Sequence, residues 1–235
     1  MLEKKKILLK VTGNIFSSQD EKKLSRKTVD IIAQQIKMLS NSHQIHIVIG
    51  GGNFFRGTQH GASLGITKPT GHQTGMLATI MNGVLLKDIL EQNNLSVTLL
   101  SSIFCPSIAQ PINEENINKA CNNNETIIFV GGTGNPFFTT DTNAVIRSLQ
   151  INADELWKAT NVNGIYDKDP HKNDDALLIK NASYKDVLEK KLNIMDQTAF
   201  TLADEQKSTI RIFNIFAKDA LLKAAQNKDF GSTIV

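Results

Sequence analysis

Apolar runs of strand length recur along the chain, at "KILLKVT" (Lys6 to Thr12), "IHIVIG" (Ile45 to Gly50), "SVTLLS" (Ser96 to Ser101), "TIIFVGG" (Thr126 to Gly132), "ELWKAT" (Glu155 to Thr160) and "IRIFNI" (Ile210 to Ile215). Between them the apolar period changes. From Thr28 to Leu39 it sets Val29, Ile32, Ile36 and Leu39 at steps of three and four, and from Met76 to Leu90 it picks out Ile80, Val84 and Leu90. Further helices are expected near Tyr184 to Lys190 and Ala199 to Gln206, with a last one after Ile215. Strand and helix therefore alternate. This pattern predicts an α/β fold, with a mostly parallel sheet covered by helices on both faces and ligands beyond the carboxyl ends of the strands.

A chain of 235 residues, 40% hydrophobic, suffices for one substantial core, and a single domain over 1–235 is expected. A seam between two lobes would fall near Asn152 to Glu155, where no Pro/Gly/Ser linker stands. The net charge of +3, from 26 Lys+Arg against 23 Asp+Glu without a long basic run, argues against a nucleic-acid partner. No apolar run approaches the roughly 20 residues that span a bilayer, so no membrane partner is expected. Met1 leads through charges into the first strand without a signal-peptide core, and Cys105 and Cys121 read as free thiols. A cytoplasmic location is expected. The five histidines are scattered, and no protein-held metal site is predicted.

Four glycine-bearing turns follow strands: "KVTGN" (Lys10 to Asn14), "GGGNFFRG" (Gly50 to Gly57), "GGTGNPFFTTD" (Gly131 to Asp141) and "NVNGIYDKDP" (Asn161 to Pro170). Glycine admits positive φ and lets an anion approach backbone N–H groups, so several such turns at successive strand ends can build neighbouring phosphate sites. Neither G-x-x-x-x-G-K-[ST] nor a helix-opening G-x-G-x-x-G is present, which excludes a P-loop or a dinucleotide fingerprint. Arg56, in a chain that seldom uses arginine, offers a planar fork suited to phosphate. Lys10 is either a snorkelling strand lysine or a cation between donor and acceptor phosphates. Thr139 or Thr140 is a natural N-cap, and Asp141 is either a first-turn dipole complement or an acid beside the phosphates. Phe137 and Phe138 either pack in the core or wall a base. "GIYDKDP" is either an ordinary Asp-Pro turn or a place where Tyr166 meets a nucleobase and Asp169 a ribose.

In order and spacing these turns resemble those of the bacterial UMP kinases (uridylate kinases) of the amino-acid kinase superfamily. The resemblance rests on "ILLKVTG" (Ile7 to Gly13), "VIGGGNFFRG" (Val48 to Gly57), "GMLATIMNG" (Gly75 to Gly83), "GTGNPFFTTD" (Gly132 to Asp141), "KATNVNGIYDKDP" (Lys158 to Pro170), "IMDQTAFTLA" (Ile194 to Ala203) and "GSTI" (Gly231 to Ile234). It implies a three-layer αβα sandwich with a mostly parallel central sheet, and transfer of a phosphoryl group from ATP, with Mg2+, to UMP. By the same resemblance Lys10, Val11, Thr12, Gly13, Gly52, Arg56, Thr160, Tyr166 and Asp169 match ATP-binding positions. Gly51, His72, Thr133, Gly134, Asn135, Pro136, Phe137, Phe138, Thr139 and Thr140 match UMP-binding ones. Lys10, Arg56, Asp141 and Asp196 match positions at the reaction centre. The N-terminal part would serve mainly the acceptor, and the part from about 152 mainly ATP. A homohexamer is implied.

The chain departs from that pattern in places. His72 stands where an Asp is usual, Asn14 replaces an acid, and Asn161 and Asn163 replace a Lys and an Asp. At the positions that resemble a GTP-responsive surface the chain has Lys87, Glu91 and Thr98, and "SQDEKK" (Ser18 to Lys23) lacks glycine, so weak or absent activation by GTP is expected. Two other classes compete: a relative that phosphorylates a carboxylate or carbamate, and a nucleotide-binding protein that has lost catalysis. The acceptor loop opposes the first, and the presence of Lys10 and Arg56 opposes the second.

Overall fold

The structure, a computed structural model, describes residues 4–18, 24–57, 61, 63–192 and 194–235, so all of "SQDEKK" but Ser18 lies outside the described residues. The strands that organise the site are β1 (Lys5–Val11), β2 (His43–Ile49), β3 (Val97–Ser101), β5 (Thr126–Val130), β6 (Glu155–Thr160) and β10 (Ile210–Asn214). Five shorter ones join them: β4 (Gln110–Pro111), β7 (Ile165–Tyr166), β8 (Leu178–Ile179), β9 (Asn181–Ala182) and β11 (Ser232–Ile234). Among the described residues the helices that cover the sheet include α1 (Lys27–Leu39), α2 (Lys68–Gln92), α3 (Glu114–Asn122), α4 (Thr140–Gln150), α5 (Tyr184–Glu189), α6 (Gln197–Glu205) and α7 (Ala220–Gln226).

Nine strands form one sheet in the order β4-β3-β5-β2-β1-β6-β10-β11-β9. It is parallel as far as β10, where β11 turns back antiparallel and takes β9 with it. The central strands read as unbroken apolar runs because both faces are covered. Along β1, Ile7, Leu9 and Val11 face Val29, Ile32 and Ile36 of α1, Leu86 and Leu90 of α2 and Leu221 of α7. Leu8 lies on the other side, in the core built with Ala144 and Val145 of α4, Ile117 of α3 and Ala199 and Phe200 of α6. The result is the three-layer αβα arrangement.

After β1 the chain runs outward through β2 and returns to β1's other edge only with β6. The carboxyl ends of β1 and β6 thus flank a point where the direction of winding reverses, the position at which open α/β sheets bind ligands.

The long periodic elements lie where the sequence sets them. Helix α2 begins eight residues before Met76, because Thr67 caps it by accepting from the N–H of Thr70 and Pro69 stands in its first turn. The polar stretch "GHQTG" concealed that extension. Helix α3 was not expected, and its signal was local: Asn113 accepts from the N–H of Asn116, and Glu114 and Glu115 fill the first turn.

Candidate phosphoryl-transfer site

Lys10 on β1 and Lys158 on β6 are register partners across the parallel ladder. Both ammonium groups reach the carboxylate of Asp141, in the first turn of α4. Lys10 Nζ stands 2.9 Å from one carboxylate oxygen and Lys158 Nζ 2.5 Å from the other. Lys158 also donates to the carbonyl of Ile194. The three side chains are 13–17% exposed, so the charges are partly withdrawn from water. Burial opposes the charged form of Asp141, yet the two lysines outweigh it and hold its pKa below the ordinary value. Lys158 is shifted down, first by burial and then by repulsion from Lys10, against the attraction of Asp141. Two cations share one anion, which leaves the cluster a net positive charge.

Helix α4 is aimed at this point by its cap. The hydroxyl of Thr139 accepts from the N–H groups of Asp141 and Thr142 at 3.0 and 3.3 Å. The same hydroxyl donates to Asp196, which also receives the hydroxyl of Thr142 at 3.0 Å and the N–H of Ala199 at 3.0 Å. Asp196 is therefore the N-cap of α6 and ties the first turns of α4 and α6 together.

Two cavities open on either side. One, of about 350 Å³, has Gly51, Gly52, Arg56, His72, Thr139 and Thr140 in its wall. The other, of about 540 Å³, is bounded by Lys158, Thr160, Gly164, Tyr166 and Asp169. Thr160, Tyr166 and Asp169 are thus gathered in one cleft. Gly52 and Arg56, matched to ATP by resemblance, line the smaller cavity together with Gly51, His72, Thr139 and Thr140. The Nε–H of Arg56 donates to the carbonyl of Gly52 at 3.0 Å, which turns the fork back over its own turn. The side chain of Val11 belongs to the core, at 1% exposure, so only its backbone can meet a ligand. Thr12 caps the short 3-10 turn Gly13–Phe16 through the N–H of Asn14.

The first two glycine turns are pressed together. A Cβ on Gly13 would lie 2.0 Å from the side-chain oxygen of Asn53 and 2.8 Å from the carbonyl of Gly50. Buried Asn82 of α2 holds this junction by donating to the carbonyl of Gly50 and to Asn53, each at 2.7 Å. Sequence reasoning missed Asn82 and Lys158. Both stood inside recognised motifs, "GMLATIMNG" and "KATNVNG", but neither residue type announces a role there.

In the loop after β5 Gly132 and Gly134 have φ of +57° and +81°. Phe137 is also left-handed, at φ +73°, which for a bulky residue carries strain. It is 63% exposed and its ring lies 5.2 Å from that of His72, so it is not a core residue. Phe138 lines the smaller cavity. Thr133 and Asn135 bond to each other across the turn, the N–H of Asn135 reaching the Thr133 hydroxyl at 3.2 Å. Thr133, Gly134, Asn135 and Pro136 lie in the loop without forming the cavity wall.

Paired cations at a switch point beside two cavities, with a capped helix directed at them, are suited to binding and transferring a phosphoryl group. Residues 5–214 match the amino acid kinase family. The chain belongs to that family, on its uridylate kinase branch. It is 40% identical over 218 residues to a uridylate kinase of Alcanivorax borkumensis, covering 92% of this chain and 86% of the relative. With a uridylate kinase of Haemophilus influenzae it shares 39% over 231 residues, covering 98% and 97%. The UMP kinase of Ureaplasma parvum superposes with a TM-score of 0.94 at 31% identity over 99% of each chain. That of Bacillus anthracis does so with 0.92 at 30% identity, covering 98% of this chain and 95% of its own.

Proposed function

We propose that this chain transfers the γ-phosphoryl group of ATP to UMP, giving ADP and UDP. The observation that carries this reading is the Lys10–Asp141–Lys158 cluster set between two cavities. ATP would lie in the cleft of Thr160, Tyr166 and Asp169, and UMP in that of Gly51, His72, Thr139 and Thr140. The transferring group would pass over the lysines, where its negative charge spreads during transfer. Asp141 fixes both ammonium groups before substrate arrives, so little reorganisation is needed at the moment of reaction. Arg56 would contact the acceptor phosphate. Asp196, fully engaged by hydroxyls and an N–H, would act by holding α4 in place. No covalent intermediate is needed.

Among the described residues no group of three His, Cys, Asp or Glu side chains could hold a metal. On this reading Mg2+ would arrive on the phosphates of ATP, where it would neutralise part of their charge.

On this reading 1–235 act as one domain, the acceptor served by the N-terminal part and ATP by the part from about 152. The enzyme would be a cytoplasmic homohexamer. Among the described residues no helix is long and apolar enough to cross a membrane. In favour of assembly, α2 is apolar on the side away from the sheet, where Leu77, Met81, Val84 and Leu85 remain 37–52% exposed. A neighbouring copy would cover such a stripe. On the same reading the response to GTP would be weak or absent.

Equilibrium binding tests the two clefts. UMP should bind in the presence of a saturating non-hydrolysable ATP analogue, giving a ternary complex. Mutual exclusion of the two nucleotides would contradict the proposal.

A further inference from the structure

Arg147, in the last turn of α4, is 6% exposed. It is a buried cation without a counter-charge: among the described residues no carboxylate pairs with it, and burial alone lowers its pKa to about 10. Each of its three nitrogens nonetheless has a neutral partner. Nε donates to Asn143 at 3.1 Å, one terminal nitrogen to Gln150 at 2.5 Å, and the other to the hydroxyl of Ser102 at 2.8 Å. The ring of Phe129 lies 5.9 Å from Cζ. If this space served only packing, an apolar side chain would fill it without the cost of desolvating a charge.

The contact with Ser102 has a consequence for the acceptor loop. A hydroxyl that accepts from a guanidinium keeps its one proton to donate. Ser102 donates it to the carbonyl of Gly132 at 2.7 Å. Gly132 is in the wall of the acceptor cavity and Ser102 is not, so this carbonyl is tied away from the space an acceptor anion would occupy. Beside it, the N–H of Gly131 donates to the buried hydroxyl of Thr79 at 2.8 Å. Gly131, Gly132 and Gly134 all have positive φ, and without side chains they cannot fix their own peptide planes. A carbonyl free to swing toward a phosphate would oppose its binding.

We propose that Arg147 is a positioning residue for the acceptor nucleotide: acting through Ser102, it locks the Gly132 peptide so that the loop presents an anion-compatible face. The inference rests on UMP being the acceptor.

The test compares Arg147→Lys, Ser102→Ala and the double variant by steady-state kinetics. Lysine keeps the charge but cannot span three acceptors with a planar fork. Each single change should raise KM for UMP by about tenfold, the scale of one lost hydrogen bond to a charged group, while KM for ATP moves by less than about twofold. Because both residues act on one peptide, the double variant should be no worse than the poorer single one. Equal shifts in both KM values, additive effects, or an unchanged UMP KM would each overturn the proposal. If Arg147→Lys does not fold, Ser102→Ala alone decides it by the same measure. Failure of the unaltered protein to use UMP would overturn the acceptor assignment and this inference with it; normal use of UMP with unaffected variants would overturn this inference alone.

Discussion

Lys10 and Lys158 occupy matched positions on neighbouring parallel strands, and their ammonium groups converge on opposite oxygens of Asp141 at 2.9 and 2.5 Å. Two like charges on adjacent strands repel, and the shared carboxylate offsets that repulsion in the absence of substrate. A phosphoryl group in transit would add the negative charge that the cluster lacks.

It follows that Asp141→Asn should lower kcat by about a hundredfold or more, because the amide cannot hold both cations in place. Lys10→Ala should lower turnover far more than it weakens UMP binding, and Lys158→Met should do likewise. The Lys10→Ala and Lys158→Met effects should fall short of additive, since each lysine positions the other through Asp141. ADP release under saturating nucleotide, set beside UMP binding by calorimetry, measures both. Equal losses in turnover and UMP binding would show that the lysines serve mainly to bind.

A second prediction concerns acid stability. His46 is wholly buried, its Nδ1 receiving the N–H of Ile127 at 3.2 Å, and burial with the nearby charge of Lys6 pushes its pKa down to about 3. Between that value and the ordinary 6.5, the unfolded chain binds a proton that the folded one refuses. Stability from this group is therefore complete above pH 6.5 and declines as pH falls toward 3. Asp141, shifted down from 3.8, keeps its full contribution above that value and loses it progressively as pH falls from there through its lower folded value. In urea unfolding, His46→Asn, which keeps an acceptor near Ile127, should flatten the slope over this window by up to about a factor of ten in the unfolding constant per pH unit. An unchanged slope would assign the acid sensitivity to other groups.

Gly51 gives a steric prediction. A Cβ there would lie 2.7 Å from the Cβ of Ala78 and 2.8 Å from the carbonyl of Gly75, both on α2, where neither neighbour can swing aside. Gly51→Ala should push the glycine turn off the helix, lowering stability by about 1–3 kcal/mol and raising KM for UMP. Gly52→Ala, whose nearest neighbour at 3.4 Å is the flexible Arg56 side chain, should be milder. Thermal unfolding of the two variants compares them directly.

Much of this was legible in the sequence, for physical reasons. Strands such as "ILLKV" are buried on both faces, so their apolar runs are unbroken, and α1 has one buried stripe at a clean period. The glycine turns were legible because few other residues could make them. Other features depend on tertiary placement. Nothing in "LWKAT" distinguishes Lys158 from a solvated lysine until β6 lies beside β1. The start of α2 was hidden because its first turns carry glycine and polar residues, with Thr67 and Pro69 in place of an apolar stripe. Asp196 is legible as an acid in a familiar motif, but its use as a helix cap shared with Thr139 appears only when α4 and α6 meet. Arg56 and Gly52 lie in the same cavity wall as His72 because their turn folds toward α2, a direction that spacing along the chain does not encode.

The most direct test of the central claim is ADP release by the purified protein with ATP and Mg2+, with UMP, CMP, N-acetylglutamate, aspartate and carbamate compared as acceptors. Turnover confined to UMP is the predicted result. Turnover with a carboxylate or carbamate instead, or none with any acceptor in protein that still binds ATP, would contradict it.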